Sequence, residues 1–376
     1  MKSDLEILYT PRRVGARRAA NRLVAQAMEA CDGEAGSPTG SSYARYEQLG
    51  AGEWGVVFLE ATSITSRSLG RLGGFVLSGA TLPRYEALVG RFKAKNPDGL
   101  LLVQLTHTGP VSHPSTERVC ASPDPPAGVR YLLEEELGRI QERFVSVSLL
   151  AEKAGFDGVD IKLCHGYLGN EILRPANTRP DRWGGSPENR MRLAVNVLEE
   201  VVRQRASADF LVGSRISFYE NRPGGCGTAG PQSTEYDPAD MLALIRAMDR
   251  CGADYVNVSG DAPAGGIADA PDEERQTGTL WAERVVKEFA AREGLALAVM
   301  GTGYSSFGPE MAGVAAGRVA SGRSDFPGFG RQSWADPLFP LKLRAGGDVY
   351  YCEQCGACAR LMSSQRPAFC VKNKRR

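Results

Sequence analysis

The chain has 376 residues, a length that suits one large barrel domain or two smaller domains. Apolar residues make up 42% and charged residues 24%, as in ordinary globular proteins. The formal net charge is +1, so no overall electrostatic field favours nucleic acid or an acidic membrane surface as the partner.

The N-terminal residues, MKSDLEILYTPRRVGARRAANR, contain no apolar core of the kind found in signal peptides. No stretch approaches the ~18 consecutive apolar residues that a membrane-spanning helix needs. We therefore expect a cytoplasmic location. The nine cysteines fit that compartment poorly as disulfides. Four of them crowd the C-terminal end, which indicates metal or cluster ligation.

Short, nearly continuous apolar runs recur along the chain, as in parallel strands that are buried on both faces. They are Asn21–Met28, Trp54–Ala61, Leu100–His107, Asp157–Leu163, Phe210–Ser217, Asp254–Gly260 and Leu297–Gly301. An eighth strand is expected around Ser324–Gly330. Pro327 fits it poorly, because proline cannot donate a hydrogen bond to a neighbouring strand.

Amphipathic helices are predicted between these strands. Leu133, Leu137, Ile140, Phe144 and Val147 share one helical face, and Met191, Val195, Leu198 and Val202 share a face of a helix that follows Pro187. A third helix is expected over about Ala239–Arg250, and a fourth contains Val285, Val286 and Phe289.

Strands that alternate with helices predict βαβ units and a parallel sheet. Eight such repeats suit a (β/α)₈ TIM barrel with insertions. A doubly wound sheet is the alternative, but no early GxGxxG motif follows a strand. We expect the barrel over residues 1–345 and a short cysteine-rich, iron–sulfur extension over residues 346–376.

The C-terminal cysteines have the spacing C-x2-C-x2-C-x11-C. The four residues are Cys352, Cys355, Cys358 and Cys370. A run of three cysteines at this spacing can ligate three corners of a [4Fe–4S] cluster, and a later cysteine can ligate the fourth. Structural zinc sites more often use two separated cysteine pairs. The spacing therefore favours a [4Fe–4S] cluster, with zinc and free thiols as the alternatives.

A long polar segment follows the fourth predicted strand, over residues 154–192. Polar side chains at the carboxyl end of a barrel strand point towards the active site. His165 and Tyr167 are groups there that can donate or accept protons, and Lys162 lies just before them. The alternative is a surface loop held by arginine–carboxylate pairs.

This segment, AGFDGVDIKLCHGYLGNEILRPANTRPDRWGGSPENRMR, resembles the GFDGVEIHxAHGYL and GGSxENRxR motifs of the Old Yellow Enzyme family of FMN-dependent reductases. The resemblance extends along nearly the whole chain. NRLVAQAM, WGVVFLEATSIT, LLVQLTHTGP, VGSRIS and FGRQSWADP are each similar to a family motif in the same order.

The resemblance implies an FMN site at the mouth of the barrel. It places the backbone of Gln26, Ala27, Met28 and Ala61 along the isoalloxazine ring, Gln104 at the pyrimidine edge, and Arg215 beside N1 and O2. Positive charge there would stabilise the reduced flavin. The phosphate would lie near Gly301, Gly330 and Arg331.

Two positions depart from the family pattern. Lys162 stands where many members have a histidine or asparagine that pairs with the later histidine, here His165. Glu29 follows the first strand, where some relatives have a cysteine or threonine that tunes the flavin. An ionised carboxylate at that place would lower the flavin potential.

The cysteines resemble those of the iron–sulfur branch of the family, which includes 2,4-dienoyl-CoA reductase and trimethylamine dehydrogenase. The resemblance implies hydride transfer from reduced FMN to the C=C bond of an α,β-unsaturated carbonyl or acyl substrate. His165 and Lys162 would bind the oxygen, and Tyr167 would donate the proton. Alternatives are a dehydrogenase that passes electrons out through the cluster, an electron-transfer subunit, and a flavin-free barrel with a zinc site.

The members of that branch continue beyond the cluster into an FAD/NAD(P)-binding part. This sequence stops six residues after Cys370. We therefore expect electrons to come from a separate electron-transfer protein or flavoprotein, or from NAD(P)H bound directly at FMN. A homo-oligomer is compatible with the sequence. Specificity is expected to depend on the loops at 108–130, 220–237 and 261–272.

Overall fold

The computed structural model describes residues 2–263 and 271–373. A parallel barrel forms its centre. Its strands are β1 (Val24–Ala25), β2 (Val56–Ser63), β3 (Leu100–Thr106), β4 (Gly158–Leu163), β5 (Leu211–Ser217), β6 (Tyr255–Ser259), β7 (Ala298–Met300) and β8 (Gly328–Phe329). They pair in chain order from β1 to β7, and β8 pairs with β1.

The barrel closes between β7 and the segment before β8. A parallel bridge joins Met300 to Phe326, and the Gly301 amide donates to the Phe326 carbonyl at 2.9 Å. The predicted (β/α)₈ barrel is therefore confirmed. The iron–sulfur character of the extension stays a prediction at this point.

The first and last strands are much shorter than predicted. The Asn21 side-chain oxygen accepts hydrogen bonds from the amides of Leu23 and Gly55, both at 3.0 Å. The chain before Val24 is therefore held by a side chain and not by the hydrogen bonds of a regular strand. Pro327 interrupts the eighth strand as its chemistry requires. Its carbonyl still accepts from the Val24 amide at 3.1 Å, so the proline stays within the sheet through its acceptor alone.

In the part of the chain that the structure describes, eight helices cover the outside of the barrel. They are α1 (Gly40–Ala51), α2 (Leu82–Lys95), α3 (Glu134–Lys153), α4 (Pro187–Gln204), α5 (Ala239–Arg250), α6 (Gly278–Glu293), α7 (Met311–Ala320) and α8 (Phe339–Ala345). The four predicted helices correspond to α3, α4, α5 and α6, and the predicted bounds of α5 match the structure.

Shorter elements occupy the loops and the two ends of the chain. Helical turns lie at Lys2–Leu5, Glu6–Tyr9, Gly109–Val111, Leu168–Leu173, Asp272–Gln276, Tyr304–Glu310, Arg331–Ala335 and Ala357–Ser363. Arg12–Val14 and Arg17–Ala19 form an antiparallel hairpin, Val119–Cys120 pairs with Arg130–Tyr131, and Phe75–Val76 pairs with β2.

The core has two layers, as a barrel demands. The larger layer lies between the strands and the helices. The smaller layer fills the barrel interior with residues such as Phe58, Leu102, Tyr255 and Met300. The hairpin adds Val14 and Ala19 to this interior layer and so closes the amino-terminal end of the barrel. Polar side chains lie at the opposite end of the barrel, where the strands have their carboxyl ends.

The cysteine-rich segment packs against this carboxyl-terminal end. The Ala368 amide donates to the Ala30 carbonyl at 2.8 Å, just after β1. The Gln332 side chain accepts from the Cys352 amide at 2.9 Å. Both contacts fix the segment next to the strands that were expected to hold the flavin. Within the described residues, none of the helices is both apolar enough and long enough to cross a bilayer.

Candidate active site

Three side chains that the sequence singled out meet at the mouth of the barrel. Glu29 follows β1, Lys162 lies in β4, and Tyr167 precedes the helical turn that follows β4. The Lys162 ammonium lies 2.5 Å from Glu29 Oε1 and 3.4 Å from the centre of the Tyr167 ring. The Tyr167 hydroxyl donates to both Glu29 carboxylate oxygens at 2.9 Å. A cation, a carboxylate and a phenol therefore form one cluster.

His165 belongs to a second group on the same side of the barrel. Its Nε2 lies 3.2 Å from the Ser259 hydroxyl, and Arg215 donates to that same hydroxyl at 3.3 Å. His165 has a left-handed backbone, with φ of 63°. The surrounding protein and the charges of Arg215 and Lys162 hold the pKa of His165 well below its usual range. The imidazole is therefore neutral at physiological pH.

Burial and charge also change the acidity of the first cluster. Burial and the Glu29 carboxylate raise the pKa of Tyr167 well above its usual value. Burial disfavours ionisation of Glu29, but the charge and hydrogen bond of Lys162 and the hydrogen bond from Tyr167 outweigh it, so the pKa of Glu29 is lowered. Glu29 is therefore a carboxylate and Tyr167 a neutral phenol.

Gln104 contacts a carboxyl group inside the barrel. Its amide donates to Asp160 Oδ2 at 2.6 Å, and the Tyr255 hydroxyl lies 3.4 Å from Asp160 Oδ1. Burial raises the pKa of Asp160 to about 7, although Gln104 and Arg215 oppose this. The sequence did not indicate this contact, because Gln104 and Asp160 lie on different strands.

The residues expected along the flavin ring lie together at the ends of the strands. The Gln26 amide donates to the Gly301 carbonyl at 3.0 Å and to Asn257 Oδ1 at 3.1 Å. Ala27 packs against the barrel interior. Ala61 and Tyr167 line one small cavity. A Cβ atom at Gly330 would lie 2.9 Å from the Met28 sulfur, so Gly330 and Met28 are close neighbours.

The residues expected near the phosphate lie directly after β7 and β8. The Gly301 amide and carbonyl are both engaged within the barrel, with Phe326 and Gln26 respectively. The position of the phosphate near Gly301 and Gly330 stays a prediction. Arg331 follows Gly330 and donates to the Ser306 hydroxyl at 3.1 Å, so its guanidinium stands beside the loop that follows β7.

Arg215 provides the test of whether the site fits FMN. Its side chain is buried, and its Nε has no hydrogen-bond partner among the described residues. A buried donor of this kind calls for an acceptor, and a buried guanidinium favours a negatively charged one. The N1–O2 edge of a flavin is an acceptor and becomes negatively charged when the ring is reduced, so the residues present fit FMN.

Arg71 is a site residue that the sequence did not reveal. Its guanidinium is buried and donates to the backbone carbonyls of Glu29 and Arg366. It lies in the loop after β2, where Gly70 approaches the Tyr167 hydroxyl. The His113 amide donates to the Leu69 carbonyl at 2.6 Å, so the long loop after β3 is hydrogen-bonded to the loop after β2. The glycine-rich sequence RLGG at residues 71–74 was the feature that could have indicated this loop.

The four C-terminal cysteines line a single cavity of about 30 Å³. Within the described residues, no group of three or more His, Cys, Asp or Glu side chains converges closely enough to hold one metal ion. The shared cavity brings the predicted ligands together, but their thiols do not surround one point.

The cysteine cavity adjoins the expected flavin site. Ala30, Trp334 and Ala368 form a small buried apolar cluster. Met28 packs against it from the flavin side, and Cys358 and Cys370 pack against it from the cysteine side. Met28 and two of the cysteines therefore share one apolar cluster.

Comparison with known proteins gives the family. Residues 7–348 match the model of the NADH:flavin oxidoreductase / NADH oxidase family. The chain belongs to this family. An NADPH dehydrogenase of Halalkalibacterium halodurans is 30% identical over 235 residues, which is 60% of this chain and 63% of that protein.

Two solved structures share the fold. A complex of 2-naphthoyl-CoA reductase with 2-naphthoyl-CoA has a TM-score of 0.83 at 20% identity, covering 99% of this chain and 57% of that one. Morphinone reductase in complex with tetrahydroNAD has a TM-score of 0.74 at 22% identity, covering 97% and 95%. The chain thus spans less than two thirds of the length of some relatives. The expectation of an FMN-dependent oxidoreductase is confirmed at the level of the family.

Proposed function

We propose that this protein is an FMN- and iron–sulfur-dependent reductase of activated C=C bonds, in α,β-unsaturated carbonyl or acyl compounds. The observation that carries the proposal is the joint position of a phenol, a buried lysine and a neutral imidazole at the mouth of a barrel of this family. These are the groups that polarise a carbonyl and protonate the carbon next to it.

The cofactor would be held by the residues at the strand ends. They are the backbone of Gln26, Ala27, Met28 and Ala61, with Gln104, Arg215, Gly301, Gly330 and Arg331. FMN, when bound, supplies the hydride that the reaction requires. Arg215 would place positive charge where the reduced ring becomes negative, which is consistent with its unpartnered Nε. NAD(P)H would be a donor of electrons, as the family name suggests.

The substrate oxygen would be bound by His165 and Lys162. His165 is neutral, so it acts as a hydrogen-bond donor and not as a cation, and the Ser259 hydroxyl orients its ring. Lys162 supplies positive charge as negative charge develops on the oxygen. Tyr167 would give its phenolic proton to the α-carbon.

The four cysteines would hold a [4Fe–4S] cluster. In such a cluster each thiolate binds a different iron, so the ligands surround a volume instead of one ion. A cavity lined by Cys352, Cys355, Cys358 and Cys370 suits that arrangement better than it suits zinc. The contact of Met28 and two cysteines with Ala30 and Trp334 offers a short path for electrons between the two cofactors. A separate electron-transfer protein or flavoprotein would reduce the cluster, as an alternative to direct reduction of FMN by NAD(P)H.

Dehydrogenation of an amine is the alternative, and the structure gives a reason to rank it lower. The Tyr167 ring and the Glu29 carboxylate would form a good site for an ammonium group. The Lys162 ammonium already lies there, 3.4 Å above the ring and 2.5 Å from the carboxylate. A substrate amine would have to displace it.

Anaerobic turnover tests the proposal. Protein reduced with dithionite should consume crotonyl-CoA or 2-cyclohexenone and yield the saturated product. The Tyr167→Phe variant should bind FMN normally and lose about 100-fold in kcat, as expected for the removal of a general acid. Tyr43→Phe, whose hydroxyl contacts the Arg84 carbonyl on the outer helices, is the matched control and should keep wild-type turnover. Oxidation of amines without reduction of either probe would reverse the ranking.

A further inference from the structure

The cluster of Glu29, Lys162 and Tyr167 contains more groups than the proposed reaction uses. Tyr167 and Lys162 have roles in it, but Glu29 has none, although its carboxylate touches both. Lys162 is 2% exposed and Glu29 is 17% exposed at the side chain. A pair this buried costs considerable desolvation, and apolar residues often replace such a pair without loss of stability. Its arrangement therefore calls for a reason other than stability.

The direction of the phenolic hydrogen bond supplies that reason. Tyr167 points its proton at Glu29, not at an open position. Once the proton has gone to a substrate carbon, the phenolate oxygen would stand 2.9 Å from a carboxylate, and the two negative charges would repel each other. A mobile proton is available on the Lys162 ammonium, which is bonded to the same carboxylate at 2.5 Å.

We propose that Glu29 is a relay residue that passes a proton from Lys162 to Tyr167 after Tyr167 has protonated the substrate. The inference rests on the proposed function. The O–H bond of Tyr167 breaks as a C–H bond forms. Lys162 then gives a proton to Glu29, and Glu29 gives one to the Tyr167 oxygen. The phenol and the carboxylate are restored, Lys162 is left neutral, and water returns its proton before the next cycle.

The charges around the phenol agree with this sequence of steps. Glu29 and Cys31 face Tyr167 from the end of β1, Lys162 from β4, and Arg71 from the loop after β2. Burial and the Glu29 carboxylate both raise the pKa of Tyr167, and the charge of Arg71 acts in the opposite direction. A relay that protonates the phenolate again at once would offset the unfavourable ionisation of Tyr167.

The first test measures the Tyr167 proton without any turnover. Protein labelled with ¹³Cζ-tyrosine is titrated by NMR, and the Tyr167 signal is identified by its loss in Tyr167→Phe. The signal should remain that of a phenol to high pH in the wild type. In Glu29→Gln the repulsion is removed, so the phenol should ionise at a pH lower by about one unit or more. Glu29→Asp keeps the charge and should behave like the wild type. An identical titration in wild type and Glu29→Gln would overturn the relay.

The second test separates the first turnover from later ones. In pre-reduced Glu29→Gln the first turnover uses the proton already on Tyr167, so its rate should change little. Continuous turnover needs reloading and should fall about tenfold or more. An equal loss in both would show that Glu29 is structural, and no loss in either would also refute the relay. Glu34→Gln, an exposed carboxylate in the same segment, is the control.

The two proposals fail in different ways. If the wild-type protein reduces no activated C=C bond, the proposed function is wrong, and the Tyr167 titration alone decides whether Glu29 controls the phenol. If the wild-type protein is active and Glu29→Gln titrates and turns over as the wild type does, only the relay is wrong. Equal FMN content of the variants shows that each one has folded.

Discussion

At the scale of single residues, the positions of the site groups follow from the sequence, but their partners do not. Tyr167, His165 and Lys162 were expected at the end of β4, and they lie there. The Lys162–Glu29 and Gln104–Asp160 contacts join residues from different strands. Such pairs depend on side-chain rotamers and on the register of the closed barrel, which a linear pattern does not encode.

Asp160 offers a test of the interior electrostatics by pH. Its folded-state pKa is raised to about 7, mainly by burial, above the ordinary value of about 3.9. The folded protein therefore holds this proton more tightly than the unfolded chain does. The contribution of Asp160 to stability is complete below about pH 4 and is lost as the pH rises through 7.

The Asp160→Asn variant should lose this pH dependence. We expect the contribution of Asp160 to lower the wild-type free energy of unfolding between pH 5 and pH 8.5 by at most about 3 kcal/mol, with most of the decline below pH 7. Urea denaturation at several pH values measures it. Asp209→Asn, at an exposed carboxylate, should keep the wild-type slope. A wild-type slope in Asp160→Asn would show that Asp160 is already ionised in the folded state.

At the scale of elements, apolar patterning predicted the long strands and helices well. The bounds of α5 match, and β3 to β7 lie within their predicted ranges. The pattern failed at β1 and β8, where Asn21 and Pro327 replace ladder hydrogen bonds with other contacts. It also gave no account of the loop after β2, because the role of Arg71 depends on contacts with two distant backbone carbonyls.

Arg71 joins the end of β1 to the cysteine segment, so its removal should loosen that segment. A hydrogen bond from a charged group contributes about 1.5–3 kcal/mol, which corresponds to roughly tenfold or more in a local opening equilibrium. In Arg71→Ala the Ala368 amide, which donates to Ala30, should therefore exchange its hydrogen about tenfold faster or more.

Hydrogen exchange resolved at residues 364–370 measures this effect. Arg67→Ala is the matched control, because Arg67 lies in the same loop, is 76% exposed and pairs with Glu117. It should leave the exchange of Ala368 unchanged. Equal exchange in wild type and Arg71→Ala would mean that the cysteine segment is held by its packing on Trp334 and Gln332 alone.

At the scale of the whole molecule, the barrel brings two sites to one end. The strand ends gather the flavin residues, and the extension lies across β1 through Ala368 and across the helical turn after β8 through Gln332. The sequence predicted the four cysteines and the barrel separately. It did not predict that Met28 and Cys358 would pack against the same cluster of Ala30, Trp334 and Ala368, because that depends on how the extension folds back.

We propose above all that this one chain holds both FMN and a [4Fe–4S] cluster. The most direct test is an anaerobic ultraviolet–visible spectrum of the purified protein, with iron and acid-labile sulfide assayed on the same sample. We predict flavin bands with broad absorbance near ~400 nm and about four irons per chain. Cys358→Ser should lose the iron, whereas Cys251→Ser, at the end of α5, should keep it. Flavin without iron in protein never exposed to air would contradict the cluster, and absence of flavin would contradict the whole assignment of the site.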